Sequence, residues 1–217
     1  MRKRAVWVGV GALAAFVVAA GCSGGDAGTA QSGGDASSTT SVSSSAQASG
    51  QQHNDADVMF AQHMIPHHEQ AVEMSDIVLA KPDIDARITD LANKIKAAQG
   101  PEITQMRGWL DQWGIPPMPS MDPGMGGMQD HENMPGTSGA MTGMLSAQQM
   151  TDLKNANGVD AGKLFLSGMI AHHEGAIAMA QDEIGSGKFA PAIDLAKSIV
   201  TTQQQEIDTM KGILATL

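Results

Sequence analysis

The chain carries an internal repeat, and the repeat is centred on histidines. The stretch FAQHMIPHHEQAVEM at 60–74 returns 105 residues later as FLSGMIAHHEGAIAM at 165–179. A second block follows each copy: Asp90, Leu91, Ala92, Ile95, Gln99, Glu102, Ile103, Met106 and Leu110 recur 104 residues on as Asp194, Leu195, Ala196, Ile199, Gln203, Glu206, Ile207, Met210 and Leu214. A duplicated unit of this length is a supersecondary element that cannot bury its apolar face alone, so two copies must pack on one another. Within each copy the apolar positions fall at helical spacing: Phe60, Met64, Ala71, Met74 and Val78 share one stripe, and Leu91, Ile95, Ile103, Met106 and Leu110 another. Breaks at Lys81-Pro82-Asp83 and Gly185-Ser186-Gly187 divide each copy into two helices, with Pro82 and Pro191 suited to a helix first turn. The expected fold is all-α: an up-down four-helix bundle of two helical hairpins, 53–113 and 146–217, the second preceded by a short helix that Ser146 and Gln149 would cap.

Three segments lie outside that bundle. Residues 1–21 read as a signal peptide: Arg2, Lys3 and Arg4 form a basic start, an apolar run reaches Ala20, and small residues precede Cys22, the sole cysteine. Small-small-Cys after an apolar run resembles a bacterial lipobox, with Ala19 at a position more often Leu, so Cys22 is the expected lipidation site and the membrane's outer face the expected location. An unpaired cysteine in an exported chain calls for some such role. Residues 22–52 are a Gly/Ser-rich tether. Residues 114–145 form a Met/Gly/Pro-rich crossover holding Met118, Met121, Met125, Met128, Met134, Met141 and His131. A connection that long is functional or disordered. The net charge of −10, more negative still without the basic signal, excludes nucleic acid as a partner and favours cations.

On a helix, Met64 sits mid-stripe with His67 and His68 three and four residues on, so both imidazoles face the bundle interior; His63 lies at the edge of that face. Glu102 shares the inner stripe of the next helix, where a carboxylate costs several kcal/mol unless paired or ligating. Its partner is His67 or His68, as that of Glu206 is His172 or His173. Two readings remain open. In one, His, Glu and Gln form a hydrogen-bonded core network, the methionines are filler and the chain is a metal-free envelope interaction module. In the other, His63, Met64, His67, His68, Glu102 and Met106 bind metal, with Met169, His172, His173, Glu206 and Met210 as the second copy. Neither copy contains the Glu-x-x-His of di-iron bundles, and a closed zinc site would use cysteine. Imidazole with thioether favours copper, Cu(I) above all. No nucleophile–base pairing, phosphate-binding loop or cofactor fingerprint points to catalysis; a metal-dependent oxidoreductase is the enzyme alternative.

The doubled Met-x-x-His-His-Glu, over roughly Asp55 to Leu217, resembles the bacterial exported family called domain of unknown function 305. The resemblance implies a ferritin-like helical fold and, for some members, copper binding and tolerance. It also implies that His67, His68, His172 and His173 form the core of any site, with Met64 and Met169 beside them. The copies differ: His63, Pro66 and Glu73 face Gly168, Ala171 and Ala178, and Gly100-Pro101 stands where Gln204-Gln205 continues the helix. Pro66 and Pro101 should kink their helices. The first copy is therefore expected to be the richer site, with His67 and His68 mattering more than His172 and His173.

Overall fold

The computed structural model describes residues 52–116, 118 and 142–217. The expected signal peptide, Cys22, nearly all of the expected tether and most of the Met-rich crossover lie outside them. Among the described residues there are five helices and no strands: α1 (Asp55–Leu79), α2 (Ala86–Trp113), the short α3 (Ala147–Asn155), α4 (Gly158–Ser186) and α5 (Ala190–Leu214). None is long and apolar enough to cross a membrane.

Local chemistry sets most of the boundaries. Asn54 and Asp57 form a reciprocal capping box at α1, and Ser146 and Gln149 another at α3. Asp85 caps α2, which ends where Gly114 turns left-handed at φ 70° and the Ile115 amide closes back on the Leu110 carbonyl. Pro191 lies in the first turn of α5, as expected. Pro82 does not start α2. Asp83 behind it adopts φ 59° and the helix waits for the Asp85 cap, so the turn is longer than the proline alone suggests. Both α1 and α2 run on as helix through Pro66 and Pro101.

The bundle is built of two antiparallel hairpins, α1/α2 and α4/α5, with α1 packed antiparallel on α4. One apolar cluster joins the first half of α1 (Phe60, Met64) and the end of α2 (Met106, Leu110) to the end of α4 (Ala176, Ala180) and the start of α5 (Leu195, Ile199). The other joins the repeat-equivalents: Ala71 and Met74, Leu91 and Ile95, Phe165 and Met169, Ile207 and Met210. This exchange of equivalents means that the hairpins are related by an approximate two-fold axis across the bundle. Between the two clusters lies a polar layer.

At one end of the bundle a buried carboxyl pair closes the structure. Asp57 accepts from the Asn54 amide (2.6 Å) and, across the bundle, from the amides of Lys188 (3.0 Å) and Phe189 (2.8 Å) at the start of α5. It thereby caps a helix whose own N-cap, Phe189, has no side chain to do so. Burial alone would raise its pKa, but these amide bonds outweigh it and hold Asp57 below the ordinary value. Glu183 beside it is pushed up to about 8, by burial first and by Asp57 second. Glu183 is thus protonated at neutral pH when folded but ionised when unfolded. The folded state binds the extra proton, so this contribution to stability is lost as pH rises from the ordinary Glu range through about 8. Unfolding midpoints measured from pH 5 to 9 should fall with pH relative to Glu183→Gln, which keeps a donor and does not titrate. Parallel curves for the two proteins would rule this out.

Candidate metal centre

The polar layer holds four histidines, all with no solvent exposure: His67 and His68 from α1, His172 and His173 from α4. The helices are antiparallel and the two-fold axis passes between them, so His67 meets its own repeat-equivalent; the rings of His67 and His172 are 3.7 Å apart between centroids. The outer two reach the neighbouring helix of their own hairpin. His68 Nε2 is 2.8 Å from Glu102 Oε2, and His173 Nε2 is 2.7 Å from Glu206 Oε2. Of the two partners that helix geometry allowed each glutamate, the structure selects the second histidine of each pair. Both carboxylates stand at the rim of the layer, partly exposed. Gln99 and Gln203 are buried in the same layer.

His67 Nε2 lies 3.2 Å from the Thr142 carbonyl oxygen. A carbonyl can only accept, so Nε2 carries the proton and Nδ1 of the neutral ring keeps its lone pair. The ring is neutral: burial, reinforced by His68, pushes His67 down to about 3, and burial with His67 as neighbour takes His172 well below its ordinary value. Nδ1 of all four histidines, and Nε2 of His172, are buried without a hydrogen-bond partner among the described residues. Buried polar atoms in native folds are ordinarily satisfied, so these five, with three more on Gln99 and Gln203 in the same layer, ask for an explanation. Three of these rings have Nε2 held by an oxygen acceptor and Nδ1 left bare, which is how outer-shell oxygens orient metal-ligating histidines.

The remaining expected ligands are spread around this layer. Met64 and Met106 are fully buried in the cluster on one side of it, and Met169 and Met210 in the cluster on the other. His63 stands one turn from His67, half-buried at a cleft, and burial lowers its pKa. Among the described residues, no three His, Cys, Asp or Glu side chains are gathered as a set that could hold a metal ion. The donor set nonetheless fits a soft or borderline metal: imidazoles with bare ring nitrogens, and thioethers on both sides.

Three residues beside the layer escaped the sequence reading. Thr142, Gly143 and Leu145 form a strap laid across α1 and α4 beside the histidines. Gln70 on α1 grips it twice, accepting from the Leu145 amide (2.7 Å) and donating to the Leu145 carbonyl (2.9 Å). Opposite, the strap passes so close to α4 that a Cβ on Gly175 would lie 1.9 Å from the Thr142 oxygen. Gln70 and Gly175 are repeat-equivalents, so this mismatch between copies was the available signal: one copy holds the strap and the other makes room for it.

A family model described as a domain of unknown function (DUF305) matches residues 57–214. A DUF305 fragment from Deinococcus radiodurans is 31% identical, with TM-score 0.64, over 76% of this chain and 98% of that one. A Streptomyces coelicolor DUF305 protein described as secreted is 33% identical, with TM-score 0.64, over 74% and 91%. CopM in its Cu(II)-bound form is 28% identical, with TM-score 0.59, over 74% and 96%; its Cu(I)-bound form is 26% identical, with TM-score 0.57. None of the curated proteins matches the chain. With the family model spanning both hairpins and the solved structures sharing the bundle, the chain belongs to the DUF305 family.

Proposed function

We propose that this protein binds copper, Cu(I) above all, through the buried histidine layer, and buffers or delivers it outside the cytoplasm. The observation that carries the reading is the set of bare, buried Nδ1 atoms on His67, His68, His172 and His173, three of them on rings oriented through Nε2. These four imidazoles would hold the ion, with Met64, Met106, Met169 and Met210 as thioethers within the same core, and with Glu102 and Glu206 steering the outer rings. Similarity to CopM in its Cu(I)- and Cu(II)-bound forms supports the choice of metal. The secreted relative supports export, and Cys22 would supply the lipid anchor.

The test is a titration of the full chain with Cu(I) against a competing chelator, beside Cu(II), Zn(II) and Fe(II). Tight Cu(I) binding is expected. His67→Ala with His68→Ala should remove it, and His172→Ala with His173→Ala should weaken it less, because His67 is oriented by the Thr142 carbonyl and His172 has no such acceptor among the described residues. Glu102→Gln should lower affinity by about 10- to 100-fold, the usual effect of losing an outer-shell orienting group. If the wild type binds none of the four metals, the layer is a structural polar network and the reading falls.

A further inference from the structure

We propose that the cleft between α1 and α4 lined by Met59, His63 and Met179 is a second, solvent-facing soft-cation site, the port through which Cu(I) reaches the buried histidines. As an entry route it rests on the copper reading; as a binding site it stands apart.

The first support is a ladder on α1. Met59, His63 and His67 are spaced four residues apart, so they lie on one face at steps of about 6 Å. Their exposure falls along it: Met59 is 47% exposed, His63 half-buried and His67 fully buried. A thioether, an imidazole and a second imidazole thus lead from solvent to the histidine layer, and all are soft or borderline donors. The cleft has a volume of about 410 Å³ and its wall includes Thr142, whose carbonyl oxygen holds His67. The cleft therefore ends one hydrogen bond from the buried site.

Across from the ladder, α4 supplies Met179, seven residues beyond His172 and partly exposed. Since α4 runs antiparallel to α1 and His67 faces His172, Met179 comes level with Met59. Asp182, exposed on α4, also borders the cleft, and its carboxylate favours a cation there.

The other half of the molecule serves as an internal control. The two-fold axis carries Met59, His63 and Met179 onto Leu164, Gly168 and Met74. There the imidazole is missing, and a Cβ on Gly168 would meet the Leu145 side chain at 3.1 Å and Met74 Cε at 3.3 Å. Met74 is fully buried and Leu145 fills the space, backed by Met150 and Leu153 of α3. The equivalent cleft is thus sealed with apolar side chains. In the first copy the same position carries His63 and stays open, with His63 and Met179 both lining the cleft. Two ends built from one repeat have diverged into a plug and a port.

Two measurements on the full chain test this. In the first, Cu(I) acquisition from a coloured chelator is followed by stopped flow for the wild type and for Met59→Leu, His63→Gln, Met179→Leu combined; Met→Leu conserves volume and spares the fold. The variant should load at least tenfold more slowly and reach the same occupancy of the buried site. An unchanged rate, with wild-type binding intact, would overturn the port and leave the copper reading standing. In the second, Ag(I), a soft ion without redox chemistry, is added to His67→Gln/His172→Gln carrying ¹³C-methyl methionine. The methyl signals of Met59 and Met179 should shift while the buried methionines do not. Silent Met59 and Met179 signals would overturn the site; shifts here in a protein whose wild type does not bind copper would keep the cleft site and reject the buried one.

Discussion

Gly175→Ala should destabilise the protein by about 3 kcal/mol or more, near the upper end of what one added methyl does in a packed interior. The methyl would sit 1.9 Å from the Thr142 oxygen, 2.7 Å from its carbonyl carbon and 3.2 Å from Gly143 Cα, all backbone atoms with no rotamer to yield. Gly143 has no slack either. It holds φ 85°, and its own Cβ position is 2.3 Å from the Ala171 oxygen. The strap must lift away from α4, and in lifting it breaks both Gln70–Leu145 bonds and withdraws the carbonyl from His67 Nε2. Denaturant unfolding should show a lower midpoint with an unchanged slope, and the Leu145 amide should lose its protection against hydrogen exchange. Gly108→Ala on α2, where no atom lies within 4 Å, is the matched control and should stabilise by up to about 1 kcal/mol through helix propensity. If Gly175→Ala behaved like Gly108→Ala, the strap would not be packed as described.

Asp57→Ala should cost a comparable amount, about 4 kcal/mol. One carboxylate takes amide hydrogens from Asn54, Lys188 and Phe189, so its removal leaves the start of α5 without a cap and buried N–H groups unpaired. Asn54 ties the same corner by donating to the Ser186 carbonyl, and that bond alone cannot replace three. Asp57→Asn keeps one acceptor oxygen and should recover part of the loss. It also removes the negative charge that helps raise Glu183, so the fall in stability toward pH 8 should flatten. Equal stability of Asp57→Ala and wild type in urea would show that α5 does not depend on this cap.

The copper titration and these stability measurements probe different layers of the molecule. The histidines occupy the two-fold axis, where two copies of one helix present the same residues to each other. Five ring nitrogens buried there without partners are costly to the fold, since each bare nitrogen forfeits its hydrogen bonds to water. A bound ion would offset that cost, so saturating Cu(I) should raise the unfolding midpoint in the wild type, and not in His67→Ala/His68→Ala.

What could be read along the chain was whatever depends on neighbours three or four residues apart. The stripes of Phe60, Met64, Met74 and Leu91, Ile95, Met106 marked the buried faces of α1 and α2, and Ser146 with Gln149 marked the start of α3, because helical periodicity and capping are local. Duplication of those stripes implied two hairpins that must cover one another. The inward face of the histidines followed from the same geometry. Helix spacing could not separate His67 from His68 as the partner of Glu102, because both flank the stripe. That choice came only when α1 and α2 were docked at a particular rotation. The meeting of His67 with His172 required the antiparallel crossing of α1 on α4, the bond of Asp57 to Phe189 spans 132 residues, and that of Gln70 to Leu145 spans 75. Pairings of this kind are settled by how the hairpins pack, and no spacing rule within one helix encodes them. The duplicated sequence determined a symmetric bundle with histidines at its centre; the tertiary structure decided where the symmetry breaks, because one strap can cross the axis region only once, gripped by Gln70 on one side and admitted by Gly175 on the other.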